Sequence, residues 1–411
     1  MQRRILRAVV PAAVLLGAIV AAGAGAAGAT TSPRATRTLW VAPTAQAKGE
    51  SAACATAKYH QINPAIAAAA AGDTVKVCAG TYTGSKKLVV SSPGGPITVT
   101  SGALIEKAIN LVGEPGAVIN AAGHINGVTL FGPGAVGAKV TGLTTENAIG
   151  EGILAAATGG IVIENNTVES NDNGGSKSSW PFCQASGNVP NDCGEGIHLL
   201  SVTHSKVLDN TSEFNSGGIL LSDEFGPNDG NTVSGNLVLD NESDCGITVV
   251  GHSGTAVNKS GKPTPLTGGV YDNTISKNIV ISNGTKGDGG GVLIASGVSG
   301  GGSYNNTVTG NEIAGNGLSG VTIHQHFPLS DVSGNVISGN WIGTNDLLGD
   351  PGTGDLVTTG VLTDNGGTHK TIKVTIVGNT IAWDVYGIYD DAPGLNQYGN
   401  TFLHVTTHVK H

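Results

Sequence analysis

The sequence predicts an all-β fold, a single-stranded right-handed parallel β-helix with a helical cap at its N-terminal end. Three observations carry this. The composition is that of a β-repeat protein: 65 glycines in 411 residues, 4% aromatic, 12% charged, yet 39% hydrophobic, too apolar for a disordered chain. A glycine followed by alternating apolar residues recurs as Gly196-Ile-His-Leu, Gly218-Ile-Leu-Leu, Gly246-Ile-Thr-Val, Gly291-Val-Leu-Ile, Gly320-Val-Thr-Ile, Gly360-Val-Leu-Thr and Gly387-Ile-Tyr-Asp. Between these lies an Asn-Thr-Val/Ile element, at Asn166, Asn231, Asn273, Asn306 and Asn379, with Asn335-Val-Ile as a variant. Repetition with a short period is the signature of a solenoid.

Residues 1–29 have the form of a secretory signal peptide. Arg3, Arg4 and Arg7 precede an apolar run from Ala8 to Ala22, and Ala27-Gly28-Ala29 is an A-x-A-like cleavage site. The run is short for a membrane anchor, and Arg3-Arg4 gives only a faint twin-arginine pattern. Residues 30–37 read as a linker. A secreted, extracellular chain without a membrane span is expected. Losing the three arginines of the leader takes the formal charge from −9 to −12, which argues against a nucleic-acid partner, since phosphate binding needs a basic face.

Residues 38–90 differ from the repeats and suit a cap over the open end of the solenoid. Trp40-Val-Ala and Asp73-Thr-Val-Lys-Val read as strands, and Ile62 to Ala71 as a short helix. Five cysteines suit an oxidising compartment. Cys54 with Cys78 would bracket the helical segment, and Cys183 with Cys193 would staple a Trp/Pro/Asn-rich loop. Cys245 is expected as a buried free thiol. The sequence leaves other pairings open; no C-x₂-C pair suggests zinc.

Residues 91–411 are the β-helix. Successive repeat glycines lie 22, 28, 45, 29, 40 and 27 residues apart. The shortest gap is a bare coil, and the longer ones carry inserted loops. The asparagines suit the sharp corners, either as left-handed residues or through stacked side-chain hydrogen bonds.

The cap segment Ala65-Ile-Ala…Gly72-Asp73-Thr-Val…Gly80-Thr-Tyr, the Asn-Thr-Val…Gly-Asn coils, and Asn340-Trp-Ile-Gly-Thr-Asn…Gly349 together resemble the pectate-lyase-like superfamily, among bacterial proteins with parallel β-helix repeats. The resemblance covers nearly the whole chain after the leader. It implies the fold; lyases, glycosidases, epimerases, esterases and non-catalytic proteins share that fold.

Counting from each repeat glycine, offsets one and three are apolar and point inward, and offsets two, four and six point outward. Offset six reads Val202, Glu224, His252, Gly297, His326 and Gly366. Offset four includes His324 and Asp364. Neighbouring coils lie about 4.8 Å apart, so Glu224 should meet His252 and His324 should meet Asp364. Asp223, Glu195 and His198 lie nearby. Carboxylate–imidazole pairs can tune a general acid or base, and two carboxylates on adjacent coils could cleave a glycosidic bond. The alternative is a ladder of solvated polar residues on an exposed sheet.

The catalytic candidates are therefore Glu195, Asp223, Glu224, His252, His324 and Asp364, with His198, His326, Trp180 and Phe182 as substrate-binding candidates. Trp180 and Phe182 could wall a cleft or fill a small core under their loop; Lys259 and Lys262 mark a loop that could stand opposite. No cofactor is expected. Weaker metal candidates are His324-x-His326 and a calcium-type loop, Asn345-Asp346…Asp350…Asp355. Arg37 is the last arginine, and a polyuronate-processing enzyme must neutralise carboxylates with Arg, Lys or calcium. The expected function is thus a secreted, monomeric, carbohydrate-active enzyme on a neutral polysaccharide, hydrolytic before eliminative. The rivals are a non-catalytic glycan-binding protein, then a lyase or epimerase.

Overall fold

The computed structural model describes residues 35–43, 52–92, 95–172, 194–257, 263–265, 268–287, 289–327, 329–349, 357–367 and 371–411. Three long sheets of 12, 11 and 12 strands run side by side. Each coil contributes one short strand to each sheet in turn, for example Lys206–Leu208, Thr211–Glu213 and Gly217–Ser222. Neighbours within a sheet are parallel, except the hairpin of Lys86–Ser92 with Gly95–Ile105 in the third sheet. The chain is a right-handed parallel β-helix, the hand that parallel crossovers take. A small fourth sheet joins Asn228–Asp229, Val270–Tyr271 and Ser303–Tyr304.

Inward residues stack in register. In the third sheet Ile197, Ile219, Ile247, Val292, Val321, Val361 and Ile388 form one ladder, and all are buried. Removing each from water stabilises the coil by roughly 1.5–3 kcal/mol.

Asparagine ladders fill the corners. Between the first and second sheets, Asn166, Asn210, Asn236, Asn278, Asn311, Asn340, Asn379 and Asn400 form a continuous series. Each Nδ2–H donates to the Oδ1 of the next, and each backbone N–H donates to that same oxygen, as in Asn236 to Asn278 at 2.9 and 3.0 Å. A second ladder runs through Asn171, Asn215, Asn241, Asn283, Asn316 and Asn345. The stacked asparagines are not themselves left-handed. The residue before each takes the positive φ, as with Asp209 (52°), Asp240 (51°) and Ser282 (60°), except at Asn345, where the residue after it, Asp346 (62°), does so. Burial explains the division of labour: the ladder side chain must face inward, so the preceding residue turns the chain.

At the N-terminal end Thr38–Val41 and Thr74–Val77 already belong to the first sheet, so the cap and solenoid share strands. The helix Ile62–Ala68 buries Ile62, Ala65 and Ile66 against the core. Its Asn63 donates to Gly102 O and accepts from Leu104 N, tying the helix to the third sheet. Arg37 pairs with buried Asp73 at 3.0 Å. Cys54 and Cys78 form a disulfide, and Cys245 is a buried free thiol. Cys183 and Cys193 lie outside the described residues. No helix among the described residues is long and apolar enough to cross a membrane.

Candidate functional site

The third sheet carries the candidate side chains. Its register sets Ser222 beside Val250, Gly251 beside Ser296, and Ser296 beside Gln325. The next positions, Glu224, His252, Gly297 and His326, therefore fall in one column on four successive coils. His324 pairs directly with Asp364.

Two carboxylate–imidazole pairs result. His252 Nδ1 lies 2.8 Å from Glu224 Oε1, and His324 Nε2 lies 3.0 Å from Asp364 Oδ2. Burial would raise Glu224, but the charge and hydrogen bond of His252, with His198 and the Ser222 hydroxyl, hold it down to about 2. Burial likewise opposes ionisation of Asp364, and His324 with the Gly366 N–H holds it below its ordinary value. His326 stacks on His324 with ring centroids 3.7 Å apart. Loss of surrounding water, then repulsion from His324, with a further push from His252, lowers His326 to about 4. It is neutral at neutral pH.

Gly297 separates the pairs. A Cβ there would lie 2.6 Å from His252 Cδ2 and 3.0 Å from its Nε2. The missing side chain is what lets the His252 ring lean across, with Nε2 toward the gap. Two exposed aromatics flank the column: Phe225 follows Glu224, and Phe327 follows His326.

The other sequence-predicted residues sit differently. Asp223 is fully buried, and its Oδ1 accepts the backbone N–H groups of His252 and Ser253 at 2.7 and 2.9 Å. Burial and neighbouring Glu224 raise it to about 6, against those two donors. It thus fixes the backbone that carries His252. Glu195 and His198 lie one coil earlier, beside Glu151, and all three are buried. His198 Nδ1 is 3.1 Å from Glu151 Oε1, and its Nε2 is 2.8 Å from Ser222 Oγ. Ser222 in turn donates to Glu224 Oε2 at 2.6 Å. One hydrogen-bonded chain therefore links Glu151, His198, Ser222, Glu224 and His252 across four coils.

Sequence reading missed Glu151, Ser222, Phe225 and Phe327. Glu151 precedes Gly152-Ile-Leu-Ala, which pairs in register with Gly196-Ile-His-Leu; aligning that coil would have stacked Glu151 on Glu195. The outward face is also less open than expected, because Leu220, Val250 and Ala295 form a buried apolar cluster against Leu293. Asn345 is a ladder rung, and Asp346 is buried, where its charge opposes ionisation of Asp384. Asp350, Asp355, Trp180, Phe182, Lys259 and Lys262 lie outside the described residues.

Residues 86–284, just under half of the chain, match the family described as "Periplasmic copper-binding protein (NosD)". No curated protein sequence matches. Among solved structures, the A-module of the Azotobacter vinelandii mannuronan C-5 epimerase AlgE6 aligns with a TM-score of 0.55 at 20% identity, over 85% of this chain and 91% of that one. PfbA, a surface adhesin of Streptococcus pneumoniae, aligns with a TM-score of 0.51 at 12% identity, over 85% and 87%. The chain shares the right-handed parallel β-helix fold of these structures. At these identities the likeness is one of fold.

Proposed function

We propose that this is a secreted carbohydrate-active enzyme that cleaves a neutral polysaccharide with water as nucleophile, one imidazole taking the water's proton and a second giving one to the leaving oxygen as the glycosidic bond breaks. The observation that carries the reading is the pair of carboxylate–imidazole contacts facing each other across Gly297. Neutral His326 suits a base that activates water. His252, its Nδ1 held by ionised Glu224, presents Nε2 on the other side as the proton donor to a leaving oxygen. His324 and Asp364 fix His326 from its stacked face. Phe225 and Phe327 offer faces on which sugar rings stack. Glu224 is committed to His252, and Asp223 to the backbone, so neither serves as the protonated acid of a two-carboxylate mechanism.

The test is digestion of a glycan panel by the secreted protein beside Glu224→Gln and His326→Gln. New reducing ends, reduced at least 100-fold in both variants, are expected. Profiles identical to wild type would sink the assignment. An unsaturated, ultraviolet-absorbing product would instead mark elimination. Binding without turnover would mark the second reading, a glycan-binding protein, which the near-complete burial of the His252 side chain favours.

The matched family's description names copper, and the donors here select among its oxidation states. Copper(I) prefers sulfur; the one free thiol among the described residues, Cys245, is buried, and the only methionine is Met1. A harder divalent ion would find carboxylate and imidazole donors at Glu151, Glu195 and His198.

A further inference from the structure

The hydrogen-bonded chain through His198 has a donor problem at one end. A serine hydroxyl carries one proton, and Ser222 gives it to Glu224. Its 2.8 Å contact with His198 Nε2 therefore requires the proton on Nε2. A neutral His198 then turns the Nδ1 lone pair toward Glu151 Oε1, 3.1 Å away. Lone pair would face lone pair unless a positive charge stands between them.

The surroundings sharpen the requirement. Glu151 and Glu195 occupy equivalent positions on adjacent coils, before Ile153 and Ile197 of the same ladder. Both are almost fully buried, at 1% and 2% exposure, and His198 is at 7%. Glu151 Oε2 is buried without a hydrogen-bond partner. Two buried carboxylates beside one imidazole are unfavourable unless charge is supplied. One ligand atom from each of the three residues lies within 4.8 Å of the others. Ligands bound to one ion at about 2.0–2.2 Å sit roughly 3–4 Å apart, so small rotations close the set.

We propose that Glu151, Glu195 and His198 Nδ1 bind one divalent transition-metal ion. Two carboxylates and one imidazole, without sulfur, suit Zn²⁺ or Cu²⁺ better than Cu⁺. The hydrogen bond from His198 Nε2–H to Ser222 then holds the ligand ring in its tautomer. Through Ser222 and Glu224 the ion is linked to His252. The site stands independently of the proposed carbohydrate chemistry.

The experiment uses untagged, chelator-stripped full-length protein. Calorimetric titration with Zn²⁺ is expected to give one equivalent, with Ca²⁺ at least 100-fold weaker. Glu151→Gln and His198→Gln should each weaken Zn²⁺ binding at least 10-fold. Wild-type protein loaded with one Cu²⁺ should show coupling to a single histidine nitrogen in its electron paramagnetic resonance spectrum, altered by ¹⁵N-histidine labelling. No saturable Zn²⁺ binding would overturn the proposal, as would unchanged affinity in folded variants. Coupling to two histidine nitrogens would also overturn it, by placing copper at His324 and His326. The spectrum needs no substitution, so it decides the matter even where a variant fails to fold.

Discussion

Asp384 closes the second asparagine ladder, and replacing it with asparagine should stabilise the protein. Each earlier rung donates both its backbone N–H and its Nδ2–H to the next Oδ1, as Asn316 does to Asn345 at 3.2 and 2.8 Å. At the last step Asn345 N donates to Asp384 Oδ1 at 3.0 Å, while Asp384 Oδ2 is buried with no hydrogen-bond partner. Burial, and then Asp346, raise Asp384 from 3.8 to about 8, against the Asn345 hydrogen bond. A folded-state value above the unfolded one means the native state holds a proton the unfolded chain has released. Stability from this group is complete below pH 4 and is lost as pH rises toward 8. At pH 7 the interval sets a ceiling of about 4 kcal/mol, and we expect roughly 2–3 kcal/mol to be recovered in Asp384→Asn. The amide introduced by the substitution should also find an acceptor. Asn316 donates to Val280 O and Asn345 to Ile313 O, and Ile342 pairs next in register. For a chain of this size the gain is a melting shift of about 3 °C at pH 7. Both proteins are scanned at one rate from pH 5 to 8 by circular dichroism, and the difference should grow with pH. A variant that melts no higher than wild type at pH 7, or a pH-independent difference, would refute the reasoning.

Three further outcomes are expected. Gly297→Ala should displace the His252 ring, because its Cβ would stand 2.6 Å from Cδ2; glycan turnover should fall at least 10-fold while the melting point moves little. Asn236→Ala removes the donor to Asn278 Oδ1 and Val207 O and the acceptor for Asn210; stability should drop by about 3–5 kcal/mol, read by denaturant titration. Cys54→Ser opens a bond spanning 24 residues and should lower stability by roughly 3 kcal/mol; limited proteolysis should then cut first within the cap.

The sequence made the fold and much of the register legible because glycine starts each third-sheet strand. Counting from it set Glu224 opposite His252 and His324 opposite Asp364, as the strand pairs do. The count fails where the pattern weakens. The strand Ile153–Ala156 ends in alanines, and 44 residues separate Gly152 from Gly196, which hid Glu151. Side-chain direction beyond the strand end was equally hidden. Asp223 and Glu224 are neighbours of like chemistry, yet one turns to the backbone of the next coil and the other to an imidazole. That choice depends on the turn at Asp223–Gly226, closed by Gly226 N donating to Asp223 O, which no periodicity reports.

The same geometry explains why titratable groups gather in this column. At two corners every asparagine is committed to the coil above, so substitution there breaks the ladder. Beyond Ser222, Gly251, Ser296 and Gln325 the coils are held by backbone pairing only as far as the strand end, and loops of unequal length leave there. A residue just past that end can vary without loss of a ladder bond, yet it still has a neighbour about 4.8 Å away on each side. A carboxylate placed there acquires whatever stands on the next coil as a partner. Glu224 gains an imidazole, while Gly297 leaves its coil without a side chain, so His252 and His326 face one another about two coil spacings, or roughly 9–10 Å, apart along the backbone. The His252 ring leans into that interval, over Gly297. It is a consequence of one absent side chain in a regular lattice, which is why Gly297 is as much a part of the site as the histidines it separates.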